Sequence, residues 1–487
     1  MNLSSLLAES ARRFPGKPAL VVGRRSLSYA ALEAGAGRVA DALSAAGVEL
    51  GRKVALAAPN GPEFVAGMMG ILRAGAVAVP CSNDLPPAEM EEMAARVGCE
   101  YRLRLPGHGE AIPMPVAPFE DPGAAAFRLE TAPGAEKEPP DRRLLDLGAS
   151  NIRFTSGTTD AFKGVVLSHA GIADRISVAN RALRITADDV VYFGLPMAHH
   201  FAVSVMLHLS VGATIVTSRL FLGDAMVETI RRHRATVLYS TPVTYRMMAE
   251  IPGVDPSALG SVRLAISTAM RLTPDVGAAF RARFGRPLAQ ALGIIEVGMP
   301  IMDLSDLPDR PGCLGRLIDG FEARVVGEDG RPTEDEAAGE LWLRGPGMLE
   351  AYCSPWRSRD EILEDGWFRT GDLVRRDGEG NFFLLGRSKH LINVGGNKVF
   401  PAEIELVLAA HEAVLEAAVV GEPDGILGEV PSASVVLRPG RRVSAEALAE
   451  HCRSRLSHFK LPRRIRIVDV LPRTHSGKIA VSALSGN

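Results

Sequence analysis

KVALAAPNGPEFVAGMMGILRAGAVAVP, from Lys53 to Pro80, decides the fold. Its first seven residues form a short apolar run, the pattern of a strand buried on both faces. EFVAGMMGILRAGA, Glu63 to Ala76, then reads as a helix, and Val77 to Pro80 opens the next strand. Strand, helix and strand in that order predict a parallel sheet with crossover helices. Upstream, SYAALEAGAGRVADALSAAGV, Ser28 to Val48, reads as another helix. Downstream, a Pro-, Gly- and Ala-rich segment from Pro106 to Pro140 has little periodicity and is expected to be a surface excursion. Alternation resumes at Asn151 and runs to about Gly298.

The texture changes after Gly312. ARVVGEDGRP, GELWLRG and NFFLLGR read as short strands between Gly/Asp turns, a small β-rich subdomain. From about His390 a compact α+β tail is expected, with helices at Ala402–His411 and Ala445–Leu456 and strands at Ala417–Val420 and Ser432–Leu437. The chain's 487 residues exceed one compact core, so at least two domains are expected.

Composition narrows the function classes. With 46% apolar and 23% charged residues, the chain has the balance of a soluble globular protein. A formal net charge of −2 gives no reason to expect nucleic acid or an acidic membrane as partner. Val65 to Val79 is the most apolar stretch, but Arg73 breaks it and it is too short to span a bilayer. Met1 to Lys17 carries Glu9, Arg12 and Arg13 and reads as an amphipathic helix, not a signal peptide. Cys81, Cys99, Cys313, Cys353 and Cys452 are scattered without metal-ligand spacing, which argues against zinc and disulfides and fits a reducing cytoplasm.

Three segments carry chemistry. Thr155-Ser156-Gly157-Thr158-Thr159-Asp160-Ala161-Phe162-Lys163-Gly164 follows a strand-like run and offers N–H, O–H and ammonium donors to a polyphosphate. It lacks the Walker spacing, and a polar turn is the plain alternative. Asp372, in Asp365–Leu373, stands at a Gly turn and can accept from both hydroxyls of a ribose, with Arg387 fifteen residues on as a donor to the same sugar. Taken alone, that pair reads rather as a turn cap and a solvated arginine. Lys478, in Leu471–Ile479, sits on a Gly loop, where a lysine is usually surface charge. On a mobile tail it could meet charge developing between a carboxylate and a phosphate, a contribution of roughly 10²–10³ in rate.

In order and spacing these segments resemble the acyl-adenylate-forming superfamily of acyl- and aryl-CoA ligases, luciferases and peptide-synthetase adenylation domains. The resemblance runs from SLSYAALEAGAGRVADAL to the final SGKI. It implies an α/β fold: a large N-terminal domain of parallel-type sheets with helices and a β-rich subdomain (1–388), and a small mobile α+β lid (389–487). It also implies roles. Thr155, Ser156, Gly157, Thr158, Thr159 and Lys163 would hold phosphates. Gly293, Ile294 and Ile295 would line the AMP site, with Glu296 binding magnesium, which prefers hard oxygen ligands. Asp372 and Arg387 would hold ribose, Lys389 would be the hinge and Lys478 the catalytic lysine. Gly395 and Gly396 would form part of a thiol tunnel.

Pro196-Met197-Ala198-His199 resembles the segment that opens the acyl pocket, with His199 as gate or catalytic contact. Pocket candidates are His199, Phe201, Val205, Ser267, Ala269, Leu292 and Ile294. Ala202 to Val205 contains no acid to hold an ammonium, so a plain carboxylic acid is favoured, aromatic or medium aliphatic. The expected reaction uses ATP and Mg²⁺ to form an acyl-AMP, then passes the acyl group to CoA or a phosphopantetheinylated carrier protein. No carrier module is expected after Lys478, nine residues from the last, and a homodimer stays open. The chain departs from the pattern in three places. Asp160 and Phe162 stand where Gly and Pro are usual, Ile295 replaces a threonine, and Ser267-Thr268-Ala269-Met270-Arg271 replaces a small Gly-Gly-Ala-Pro run. A catalytically impaired nucleotide- or acyl-binding relative is the alternative of another class. Arg453, Arg455, Lys460, Arg463, Arg464 and Arg466 form a basic stretch that could meet CoA phosphates or an acidic carrier helix, or be a solvated face.

Overall fold

The computed structural model describes residues 1–83, 85–105, 115–116, 126–132, 139–154, 163–218, 223–305, 310, 312–473 and 479–484, without the side chains of 115, 116 and 482. Among these residues the strands gather into three sheets.

The largest sheet changes character at its middle. Pro18–Val22, Thr214–Thr217, Val190–Phe193, Val237–Ser240, Leu264–Ser267 and Ala289–Ile294 lie side by side in parallel. Their short runs are mostly apolar because helices cover them, and Val237–Ser240 is buried at every residue. Gly298–Asp303 then turns back against Ala289–Ile294. Cys313–Leu317, Asn381–Arg387, Phe368–Arg376, Gly339–Arg344 and Glu322–Val326 extend the sheet from there, with antiparallel pairing throughout. The β-rich texture after Gly312 is thus the antiparallel wing of the large sheet.

The second sheet holds the segment quoted first. Lys53–Ala57 and Val77–Cys81 are parallel neighbours, and Pro62–Arg73 is the crossover helix. That helix is buried from Pro62 to Leu72, because Tyr29–Ala45 packs on it between the two sheets. Leu56, Met68, Val39, Leu20 and Phe193 consequently share one core. The expected excursion at Pro106–Pro140 needs correction where it is described. Phe127–Thr131 pairs with Tyr101–Arg104, and Phe127 is fully buried. Its period of two was hidden by the Gly, Ala and Pro around it.

The C-terminal unit has its own sheet and core. Ile392–Val394, Asn397–Val399, Val414–Asp424, Gly428–Leu437 and Arg464–Ile467 form the sheet. Helices Pro401–Ala409 and Ala445–Arg453 bring Ile404, Leu408 and Leu448 onto Val419 and Val435. The two strands expected here are one long hairpin, extended at both ends. No helix among the described residues is long and apolar enough to cross a membrane.

Candidate functional site

The carboxyl ends of parallel strands open onto the place where ligands bind in such sheets. Ala289–Ile294 is the last parallel strand, and the turn after it carries Ile295 and Glu296. This turn is gripped from behind. Arg175 donates to the carbonyls of Ile295 (2.8 Å) and Glu296 (2.9 Å), and also to that of Gly347. It comes from the core-facing side of helix His169–Leu183. Burial lowers its pKa to about 9, with Arg153 adding to the fall and Glu296 opposing it. Burial likewise brings Arg153 down to about 10. Both remain cations at neutral pH, behind one carboxylate.

Glu296 is 9% exposed, and its Oε1 accepts a 2.9 Å hydrogen bond from the Tyr352 hydroxyl. Burial first, and then the charge of Glu296, push the Tyr352 phenol far up, so it stays a donor. Lys163 completes the chain, its Nζ lying 5.2 Å from the centroid of the Tyr352 ring. Ala351–Cys353 can lie this close to Gly164–Ser168 because residue 164 is glycine. A Cβ there would stand 2.4 Å from Cys353 Sγ. Thr155, Ser156, Gly157, Thr158 and Thr159, with Asp160 and Phe162, lie outside the described residues. The strands that flank them pair Phe154 with Gly164, so the ends of that segment are held opposite each other.

Asp372 and Arg387 are direct partners across the antiparallel strands Phe368–Arg376 and Asn381–Arg387. Arg387 Nε lies 2.8 Å from Asp372 Oδ1, and Nη1 donates to the Thr370 carbonyl at 3.0 Å. Gly371, at φ 71°, makes the bend before Asp372, which is 4% exposed. A spacing of fifteen residues therefore becomes a side-by-side pair through hairpin register.

On the acyl side, Phe201 and Val205 are fully buried in the wide helical turn Phe201–Val205, and Phe201 meets Phe64 edge-on at 6.0 Å. His199 is half-buried at the start of this segment. Leu292 and Ile294 are half-buried, whereas Gly293 is exposed. A Cβ on Gly293 would meet only Thr268 Oγ1, at 4.0 Å, so its open side faces whatever binds there. Ala269 is exposed at φ 68°. Ser267 is wholly buried, without a hydrogen-bond partner for Oγ among the described residues. Strand alternation gives it the face of Ala265, whereas Ile266 shares the core of Phe201 and Val205.

Lys389 lies in the short turn Ser388–His390 between the large sheet and the C-terminal unit. Gly395 and Gly396 form the left-handed tip of the hairpin Ile392–Val399 (φ 56° and 87°). Two residues on, Lys398 pairs with Glu328, beyond the edge strand of the antiparallel wing, so this tip stands away from Glu296. Lys478 lies outside the described residues. The basic stretch is largely neutralised within its own unit: Lys460 pairs with Glu403 (2.7 Å), Arg464 and Arg466 with Glu422, and Arg463 with Asp424 (3.8 Å).

A motif reading missed Arg175 and Tyr352. Arg175 had a signal, an arginine at the helical spacing of Ile172, Ile176 and Ala179 on a core face. Tyr352 had none, because its partner Glu296 lies far along the chain, in a turn of the other sheet.

Comparison with known proteins gives the family. The family model for AMP-binding enzymes matches residues 7–353, and that for the AMP-binding enzyme C-terminal domain matches residues 403–478. Indoleacetate–CoA ligase from Aromatoleum aromaticum is 32% identical over 98% of this chain and 96% of its own length. Feruloyl-CoA synthase from Amycolatopsis sp is 29% identical, covering 98% and 97%. The crystal structure of ATP-bound MatB from Rhodopseudomonas palustris superposes with a TM-score of 0.84 at 28% identity, over 99% of this chain and 98% of that one. The chain belongs to the AMP-binding enzyme family, within the acyl-adenylate-forming superfamily, and is an AMP-forming acid–thiol ligase.

Proposed function

We propose that this ligase activates an aryl or medium-chain carboxylic acid with ATP and transfers the acyl group to the thiol of CoA. The supporting observation is the chain Lys163–Tyr352–Glu296, which sets a cation from the end of the phosphate segment beside an oriented carboxylate. A carboxylate is a poor electrophile. Its oxygen attacks the α-phosphorus of ATP, pyrophosphate leaves, and the mixed anhydride carries a good leaving group. Thiol attack at the acyl carbon then expels AMP.

In this reading Asp372 accepts from the ribose hydroxyls, and Arg387, pre-aligned by the same carboxylate, adds a donor. Residues 155–159 and Lys163 take the phosphates. Glu296 is a single hard oxygen donor with one oxygen fixed by Tyr352, which suits magnesium held mostly by phosphates. When bound there, magnesium neutralises charge on the departing pyrophosphate. Lys478 bridges the acid and the phosphate during the first step.

The lid, 389–487, turns about Lys389 between the two steps. The ion pairs that tie it here support this movement. Arg438 shares Asp275 with Arg246 (3.1 and 2.9 Å), and Arg271 lies 3.9 Å from Glu405. Partly exposed pairs of this kind are each worth ~0–1 kcal/mol and are readily exchanged. Rotation would bring Gly395 and Gly396 from beside Glu328 to the thiol path. The two relatives above, a feruloyl-CoA synthase and an indoleacetate–CoA ligase, favour CoA as acceptor, and the paired basic stretch leaves little free charge for a carrier helix. A reducing cytoplasm is the compartment this thiol chemistry fits.

ATP–pyrophosphate exchange across benzoates, cinnamates, C4–C12 fatty acids and amino acids tests the first step, with Lys478→Ala as control. Exchange confined to one class and lost in the variant is expected. Thioester assays with CoA and with a phosphopantetheinylated carrier protein then separate the acceptors. ATP binding with no exchange for any acid would turn the reading to a nucleotide-binding relative.

A further inference from the structure

The helical run that lines the acyl side carries a polar stripe along an inward face. His200, Ser204 and His208 are spaced four apart among Phe201, Val205, Leu207 and Leu209. Both histidines meet the same two strand residues. The rings of Phe193 and Tyr239 stack at 5.8 Å with 12° between planes. His200 stands edge-on to both, at 6.5 and 6.3 Å, and His208 does the same at 6.2 Å each. Ser204 and Thr268 direct their hydroxyls at the Tyr239 phenol.

Two of these groups, Tyr239 and His208, are poorly served from within. Tyr239 is 2% exposed, and its hydroxyl donates to the thioether of Met299 at 3.2 Å, a weak acceptor. His208 is also 2% exposed, and its Nδ1 has no hydrogen-bond partner among the described residues. Burial drives its pKa down to about 4, so the ring is neutral at pH 7. Buried polar atoms in native proteins are nearly always paired, and exceptions call for an explanation. The helix is also π-wound at Phe201–Val205, a departure from α geometry that recurs at functional sites.

The stripe runs from His200, half-buried at the mouth beside His199, to His208, fully enclosed. Thr268 ties it to the AMP side, since its Oγ1 donates to the Ala291 carbonyl (2.9 Å) and faces Gly293. Flat aromatic walls suit an aryl ring, and unmatched polar atoms suit a group that can donate and accept. A hydroxyl does both, and so satisfies either tautomer of a neutral imidazole. We infer that the acid activated here is an aryl acid with a distal hydroxyl, which His200, Ser204, His208 and Tyr239 receive at the far end of the acyl pocket. This rests on the assignment of the acyl site proposed above.

Matched pairs decide it: benzoate against 4-hydroxybenzoate, cinnamate against 4-hydroxycinnamate, phenylacetate against 4-hydroxyphenylacetate. In pyrophosphate exchange the hydroxylated member of at least one pair is expected to lead by roughly a hundredfold in kcat/KM. That lead should shrink in His208→Phe and, where this variant folds poorly, in Ser204→Ala. Equal or better turnover of the unhydroxylated partner in every pair would overturn the inference and leave the ligase reading standing. If no acid supports exchange, the ligase reading fails, and calorimetric binding of the same pairs to the intact protein decides the pocket. Preferential binding of a hydroxylated acid, lost in Ser204→Ala, would sustain it. Equal or absent binding would end it.

Discussion

The nucleotide side and the acyl side of this molecule are built on opposite terms. Where ATP is proposed to bind, the described charged groups already have orienting partners. Asp372 is aligned with Arg387, Glu296 is held by Tyr352, and the turn beneath it is gripped by Arg175. Toward the acyl pocket, His208 Nδ1 is buried without a partner among the described residues, and the Tyr239 hydroxyl donates only to a thioether. A nucleotide is the same for every member of such a family, so its site can be fixed in advance. The acid differs, and the groups that would recognise it complete their bonding with the acid itself.

Asp372→Ala should give the largest effect. It removes the proposed ribose acceptor and leaves Arg387 without its carboxylate. At about 1.5–3 kcal/mol per hydrogen bond to a charged group, a loss of two predicts a fall of at least 10²-fold in kcat/KM for ATP. The KM for the acid should stay near its original value. If the acid KM rises as steeply, the two sides are not separable in the way drawn here.

The next test uses pH and bears on the acyl side. His208 has a folded pKa of about 4 against 6.5 in the unfolded chain, through burial. Between those values the unfolded state binds the extra proton, so stability falls as pH drops through this window and is level above it. From pH 7 to pH 5 the loss attributable to this ring is about 2 kcal/mol. Urea midpoints at the two pH values should show that slope flattened in His208→Phe. Some slope should survive, because His169 is also brought down to about 4 by burial. An unchanged slope would mean that His208 is better solvated or better paired than the geometry indicates.

Tyr352→Phe should cost less, about tenfold in exchange, from one hydrogen bond to a charged group. The loss should come with a higher magnesium concentration for half-maximal rate, because Glu296 would no longer be held in one orientation. A drop in rate at unchanged magnesium dependence would assign Tyr352 to Lys163 instead.

This contrast also explains what could be read from the sequence. The fold was legible at Lys53–Pro80, because strand and helix there differ in apolar period. Glu296, Asp372 and Arg387, proposed here for the nucleotide and its metal, could be picked out because they lie in short local motifs. Tyr352 and Tyr239 were not, since each meets a residue far along the chain, Glu296 or Met299, on an element that its own strand does not pair with. The β-rich run after Gly312 looked like a separate subdomain, because local alternation does not say which sheet edge a strand will join. Ser267 was grouped with Phe201, but a strand shows one residue to each face in turn, and Ser267 faces the other way.

The smallest effect lies where the two sides meet. Ala269 holds φ 68° on the loop between Ser267 and Arg271, next to Thr268 and across from Gly293. An L-residue in this region costs roughly 1–2 kcal/mol. Glycine avoids that cost but loses roughly 0.5–1 kcal/mol through its freer unfolded chain. Ala269→Gly should therefore stabilise the protein by about 0.5 kcal/mol in urea. Strain persists where the surroundings hold it, and it clusters at sites that must keep a particular shape. In the proposed reading the loop lies between AMP and the acid, so relaxing it should lower kcat/KM for the acid modestly while leaving the ATP KM unchanged. Gain of stability with loss of acid turnover would show that the strain serves the acyl side. Gain of stability with no loss would show that the loop's shape is set by its neighbours alone.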